Sequence, residues 1–274
     1  MSPICNRRPS VLVGLTACTL VLGAACGDDA DEASDDRQRP FITAPATTAA
    51  EGSSIQVIAT DYAFDTGGAT VTAGAVEITL VNRGAEDHHL TLARVNDGIT
   101  ADEVIAGLRA GDQSVMRNVT PVGGPNGVAP GASRKVTTNL TAGSYLMMCH
   151  IPSPSDRVPH LAKGMVSSLI VSPATAPAAA VPASKGTITI AKGGYQVPAG
   201  LASGTYQVVN EHDQPAEAAL VRLRQGATAQ DVMAFLGGQA PPGPPPFSVA
   251  GGVTTLAPRS AALVDLEVAA GTYA

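Results

Sequence analysis

From residue 82 onward the chain matches itself without gaps at an offset of 128. Asn82 meets Asn210, Leu92 meets Leu220, Arg94 meets Arg222 and Gly98 meets Gly226. Thr100-Ala101 meets Thr228-Ala229, Val104 meets Val232, Leu108 meets Leu236, and Gly123-Gly124 meets Gly251-Gly252. Ala129-Pro130 meets Ala257-Pro258, and Gly143 and Tyr145 meet Gly271 and Tyr273. One register held over 65 positions means two copies of one structural unit. The first copy is expected over 55–172 and the second over 186–274, joined by a Pro/Ala linker at 173–185. The position equivalent to Cys149 would be 277 in a chain of 274 residues, so the second copy reads as C-terminally incomplete.

Within each copy the hydropathy pattern has the period of strands. Ile55–Ala59, Val76–Val81, Leu90–Val95, Val136–Leu140, Ser144–Cys149 and Met165–Val171 read as strands in the first copy. Thr187–Ile190 and Tyr206–Val209 do so in the second. Thr100-x-x-Glu103 and Thr228-x-x-Asp231 each have the form of a capping box opening a short helix, through Leu108 and Leu236. Residues 109–131 read as a Gly/Pro loop. The expected fold is all-β: two tandem Greek-key β-sandwich domains, each with a short helical insertion. A net charge of −6 removes the basic surface that a nucleic-acid binder needs.

The first 54 residues read as an address and a tether. Arg7 and Arg8 precede an apolar run, Val11–Ala25, too short to be a good membrane span, and the run ends in small residues before Cys26. This layout resembles a bacterial lipoprotein signal, with 1–25 removed and Cys26 lipidated. The expected location is the outer face of the cytoplasmic membrane or the periplasm and cell envelope, with the lipid on Cys26 holding the chain to the membrane. Residues 26–54 are acidic at first, then rich in Pro, Ala, Thr, Gly and Ser, and are expected to be a disordered tether. Loss of Arg7 and Arg8 would take the net charge to −8.

Cys5 and Cys18 leave with such a signal and Cys26 takes the lipid, so Cys149 remains with no partner for a disulfide. A lone thiol in an oxidising compartment calls for an occupant. Downstream of Cys149 come a ten-residue loop, His160, and Gly164-Met165 ahead of an apolar strand; upstream lie His88 and His89. Two imidazoles, a thiolate and a weak thioether are the donors of a blue-copper site. Leu90 and Leu92 share parity with His88, which makes His88 the inward-facing upstream donor and His89 the alternative, exposed or beside the site. His150 reads as a surface residue, and Met147 and Met148 as core filler or as surroundings of the site.

On these residues the chain resembles the cupredoxin (type 1 copper) family, fully over 55–172 and partly over 186–274. The resemblance implies one copper ion in the first copy, held by His88, Cys149, His160 and Met165, and one-electron transfer with a redox partner protein rather than catalysis. It further implies that His160, on the loop, lies near the surface as the electron port. The Cys149-to-His160 loop is longer than in plastocyanin and nearer the nitrite reductase type. The extra histidines of a copper nitrite reductase would fall at Ala93 and Met148. In the second copy His88 and His89 become Ala216 and Glu217, and His212 falls at Gly84, so no copper is expected there. Copper storage or delivery, and a metal-free interaction module, are the alternatives.

Overall fold

The computed structural model describes residues 53–174, 181–237, 239 and 243–274. The signal, Cys26 and nearly all of the tether lie outside the described residues. The first copy runs β1 (Ser53–Thr60), β2 (Ala63–Asp65), β3 (Val71–Thr72), β4 (Gly74–Asn82), β5 (Thr91–Val95), α1 (Ala101–Arg109), β6 (Val119–Gly123), β7 (Ser133–Leu140), β8 (Gly143–Met148) and β9 (Val166–Ser172). The second runs β10 (Thr187–Ala191), β11 (Gly194–Gln196), β12 (Gly204–Asn210), β13 (Ala216–Leu223), α2 (Ala229–Leu236), β14 (Phe247–Leu256) and β15 (Ala261–Leu266).

Alternation along β1 and β4 turns Ile55, Val57, Ile78 and Leu80 to one face, where they meet Leu92, Tyr145, Met147 and Leu169 of the other sheet. That is a two-sheet sandwich, as the strand pattern predicts. In β8 the run Tyr145–Met148 is buried on both faces. Its outer face lies under α1, where Val104, Ile105 and Leu108 pack on Ala93, Leu146, Met148 and Val166. Both methionines are core filler, as expected. The helices carry the capping boxes read from the sequence, Thr100 with Glu103 and Thr228 with Asp231.

The repeated Gly-x-Tyr is a corner device. Tyr145 Oη donates to Thr141 O at 2.8 Å and accepts the Thr141 N–H at 3.0 Å, and Tyr273 Oη donates to Ala269 O at 3.0 Å. Tyr145→Phe leaves that carbonyl and N–H short of a partner and is expected to cost about 1–2 kcal/mol, read as a lower denaturant midpoint with unchanged slope.

Three features escape the strand pattern. First, the two tandem copies share their sheets: β15 pairs with β7 (Val264↔Val136, Ala262↔Thr138) and β14 meets β6 (Leu256↔Val122). Among the described residues the result is one sheet of eight strands and one of seven, each running through both copies. Val136 of β7 closes the second copy's core with Ile190, Tyr206, Val208, Val264 and Leu266, which is why β7 presents its second edge to β15. Second, 109–131 is more than a loop, since it holds a 3₁₀ turn (Gln113–Asn118) and β6. Pro121 and the glycines after it hide that strand; Pro121 pairs with Ala93 next to an irregularity in the register. Third, Ser53 and Ser54, placed in the tether, pair with Val76 and Glu77 as the start of β1. Residues 272–274 pair with β13, Arg222 opposite Tyr273, as Arg94 of β5 lies opposite Tyr145 of β8.

Candidate metal centre

The ends of β1, β4 and β8 bring three segments together. Asn82, fully buried at the end of β4, donates through Nδ2 to Glu86 O and Val128 O, both at 2.8 Å, and accepts the Gly84 N–H at 2.8 Å. This pins residues 83–88 into a fixed turn. His88 then pairs with Val128 in both directions, N–H to O at 3.0 Å and the reverse at 2.8 Å. The loop after β8 is closed by its own backbone. Leu161 N–H donates to Cys149 O (2.7 Å), His160 N–H to Ile151 O (3.0 Å), and Met165 N–H to His160 O (2.9 Å). Gly164, at φ +102°, takes the left-handed turn that leads into Met165 and β9.

These frames place His88, Cys149 and His160 against one another, all fully buried. His160 Nδ1 lies 3.1 Å from His88 Nδ1, and Cys149 Sγ lies 3.4 Å from His160 Nδ1 and 3.9 Å from His88 Nδ1. Met165 is buried beside Cys149 in the same core, and its carbonyl accepts the Cys149 N–H at 3.3 Å. The outer nitrogens are committed elsewhere: His88 Nε2 to Asp61 Oδ1 and His160 Nε2 to Glu86 Oε2, both 2.8 Å.

Electrostatics fix the proton positions. Burial works against ionisation of Asp61 and Glu86. For Asp61, hydrogen bonds from the Ala85 N–H, His88 and the Glu86 N–H outweigh it; for Glu86, bonds from Ser153, His160 and Tyr62 do. Both carboxyls therefore sit below their ordinary range and act only as acceptors. With each Nε2 facing a carboxylate, the neutral form of either imidazole has its lone pair on the inward Nδ1. Burial, the largest influence on His88, holds it below the ordinary histidine range. Burial also pushes the Cys149 thiol up to about 11.

In that form two nitrogen lone pairs 3.1 Å apart beside a sulfur suit a shared cation. A metal ion at ~2.0 Å from each nitrogen and ~2.3 Å from sulfur would see these donors at angles of roughly 100–130°. Imidazole and thiolate suit a soft or borderline ion, and Met165, the fourth expected donor, shares the buried core with Cys149.

The structure keeps His89 out of this cluster. It is buried rather than exposed, it accepts the His150 N–H on Nε2 at 2.8 Å, and burial pushes its pKa down to about 3. His150 is half-buried, its ring edge-on to His89 at 5.8 Å, and is not a free surface residue. His160 is itself fully buried, one layer in, with its Nε2 on the partly exposed Glu86. Tyr62 covers it at 5.0 Å between ring centroids, and the Tyr62 hydroxyl bridges Glu86 (3.2 Å) and Lys163 Nζ (3.1 Å). The edge of His160 is therefore not itself exposed, with Tyr62 and Glu86 between it and solvent. His212 of the second copy pairs with Asp213 in its own loop. Sequence reasoning missed Asp61, Tyr62 and Glu86.

The described residues thus form a two-sheet β-sandwich with a buried His–Cys–His cluster at the loop end of one copy. No protein-family model matches the sequence, and no curated protein matches it. Among solved structures, it is similar to dithionite-reduced auracyanin from the photosynthetic bacterium Roseiflexus castenholzii. That match is 18% identical, covers 45% of this chain and 100% of that one, and has a TM-score of 0.30. Auracyanin A, described as a "blue" copper protein from Chloroflexus aurantiacus, is 20% identical over 44% of this chain and 99% of its own, with a TM-score of 0.29. A copper-containing nitrite reductase from Thermus scotoductus is 12% identical over 81% of this chain and 57% of its own, with a TM-score of 0.28.

Proposed function

We propose that this chain is an exported, membrane-anchored type 1 copper protein that carries single electrons. His88, Cys149, His160 and Met165 hold one copper ion in the first copy. The observation that carries this reading is the convergence of two inward imidazole nitrogens and one buried thiol, 3.1–3.9 Å apart. Copper supplies a one-electron couple there. The chain supplies donors fixed by backbone bonds and a dry surround, so little has to move when the charge changes. Export rests on the N-terminal signal and anchoring on Cys26; a redox protein in the same compartment is the implied partner. Catalysis is disfavoured because Ala93 and Met148 stand where a nitrite reductase-like second copper site would need histidines, and both are packed under α1. The second copy acts as a structural brace, with Ala216 and Glu217 in place of imidazoles.

Titration of the chain from residue 26 with Cu(II), followed by visible absorption and electron paramagnetic resonance, tests this. The expected result is an intense thiolate-to-copper band with narrow hyperfine splitting at one equivalent. Tight Cu(I) binding without that band would shift the reading to storage or delivery. Binding of neither ion would leave a metal-free interaction module.

A further inference from the structure

We infer that Asp61 and Glu86 are positioning residues of the metal centre, holding His88 and His160 as Nδ1 donors and biasing the site toward the more highly charged copper ion. The inference rests on the copper reading above. Each carboxylate takes the outer N–H of one imidazole at 2.8 Å. A carboxylate behind an imidazole fixes its tautomer and strengthens its inner nitrogen as a donor. Stronger donors and nearby negative charge favour Cu(II) over Cu(I).

The second copy supplies an internal control. Asn210 donates to Gln214 O at 3.0 Å as Asn82 donates to Glu86 O, so Gln214 stands at the Glu86 position. Ala59 pairs with Asn82 and Ile190 with Asn210, which puts Lys192 at the Asp61 position. The second copy thus keeps the turn but has neither carboxylate, just as it has alanine in place of His88. The turn forms without them. Glu86 separates the two roles most cleanly: its carboxylate bonds only side chains, namely Tyr62, Ser153 and His160. Asp61 also accepts the Ala85 N–H at 2.9 Å and so braces the loop as well.

The test compares Cu(I) and Cu(II) affinities and the midpoint potential of the full chain with those of Glu86→Gln and Asp61→Asn. Glu86→Gln is expected to raise the ratio of Cu(I) to Cu(II) affinity roughly tenfold, a rise of about 59 mV in a one-electron couple. Its thiolate band should survive and its metal-free melting temperature should stay within a few degrees. Asp61→Asn should shift the ratio in the same direction. Loss of the Cu(II) band with fold retained would also support a positioning role. Unchanged potentials and affinities in both variants, or lower melting temperatures with no shift in potential, would overturn it. An unmodified chain that binds no copper would overturn the copper reading and this inference together, whereas a normal wild-type band with inert variants would overturn this inference alone.

Discussion

Cys149→Ser is expected to abolish the thiolate-to-copper band and to weaken copper binding a hundredfold or more. A four-donor thiolate and imidazole site is worth roughly 10–16 kcal/mol, so one donor accounts for on the order of 3 kcal/mol, and the soft thiolate for no less than its share. The exchange is nearly isosteric in a fully buried position, so the fold should survive. A hydroxyl there also lacks the low-energy charge transfer by which a thiolate would colour a copper-loaded site. The pH dependence separates the two proteins further. Burial pushes the free thiol up to about 11, so below that pH the metal must displace a proton from sulfur. Copper affinity should therefore rise about tenfold per pH unit between pH 7 and 9 in the parent and level off as pH approaches 11. His88 adds no slope in that window, since burial lowers its pKa. Cys149→Ser has no thiol proton to displace and should give a nearly flat profile. Titrations with a competing chelator at several pH values would measure both slopes. An equal slope in the two proteins would show that Cys149 is not a donor.

Much of the first copy was legible because its signals are local. Alternation placed β1, β4 and β7, and the threonine capping boxes placed both helices to within a residue or two. Parity with Leu90 and Leu92 turned His88 rather than His89 toward Cys149. What escaped was non-local. The pairing of β15 with β7 depends on one edge matching another more than 120 residues away, and strand period says nothing of which edges meet. The burial of His160 depends on Tyr62 and Glu86, which arrive from two other loops. A loop position therefore suggested exposure that the packing removes. One usable signal was present in the repeat itself. Glu86 becomes Gln214 two residues ahead of the His88-to-Ala216 change, so charge and imidazole vanish together in the copy without a site.

A chain ended after Ser172 is expected to fold poorly and to lose a well-defined copper site, although it retains every proposed ligand. The second copy supports the first at two places. Along β7, Val264 and Ala262 complete the sheet and shelter Val136. Beside the metal centre, Thr254 Oγ1 donates to Leu90 O at 3.0 Å, Thr254 N–H to Gly124 O at 2.9 Å, and the Asn126 N–H to Gly252 O at 3.1 Å. Leu90 N–H in turn donates to Pro125 O, and His88 pairs with Val128, so the strap 124–128 that seats His88 is itself seated by β14. Val253 and Leu256 also pack against Gly123 at the end of β6. Each well-buried aliphatic side chain contributes about 1.5–3 kcal/mol, so the loss is on the order of 5 kcal/mol, a large share of the roughly 5–15 kcal/mol that holds an ordinary domain. The bare edge of β7 would then be open to pairing between molecules. Circular dichroism melting and sedimentation of the shortened chain, with the copper titration repeated on any soluble fraction, would read these effects. A monomer that melts within a few degrees of the parent and gives the same copper spectrum would show that the copies are independent domains that merely touch.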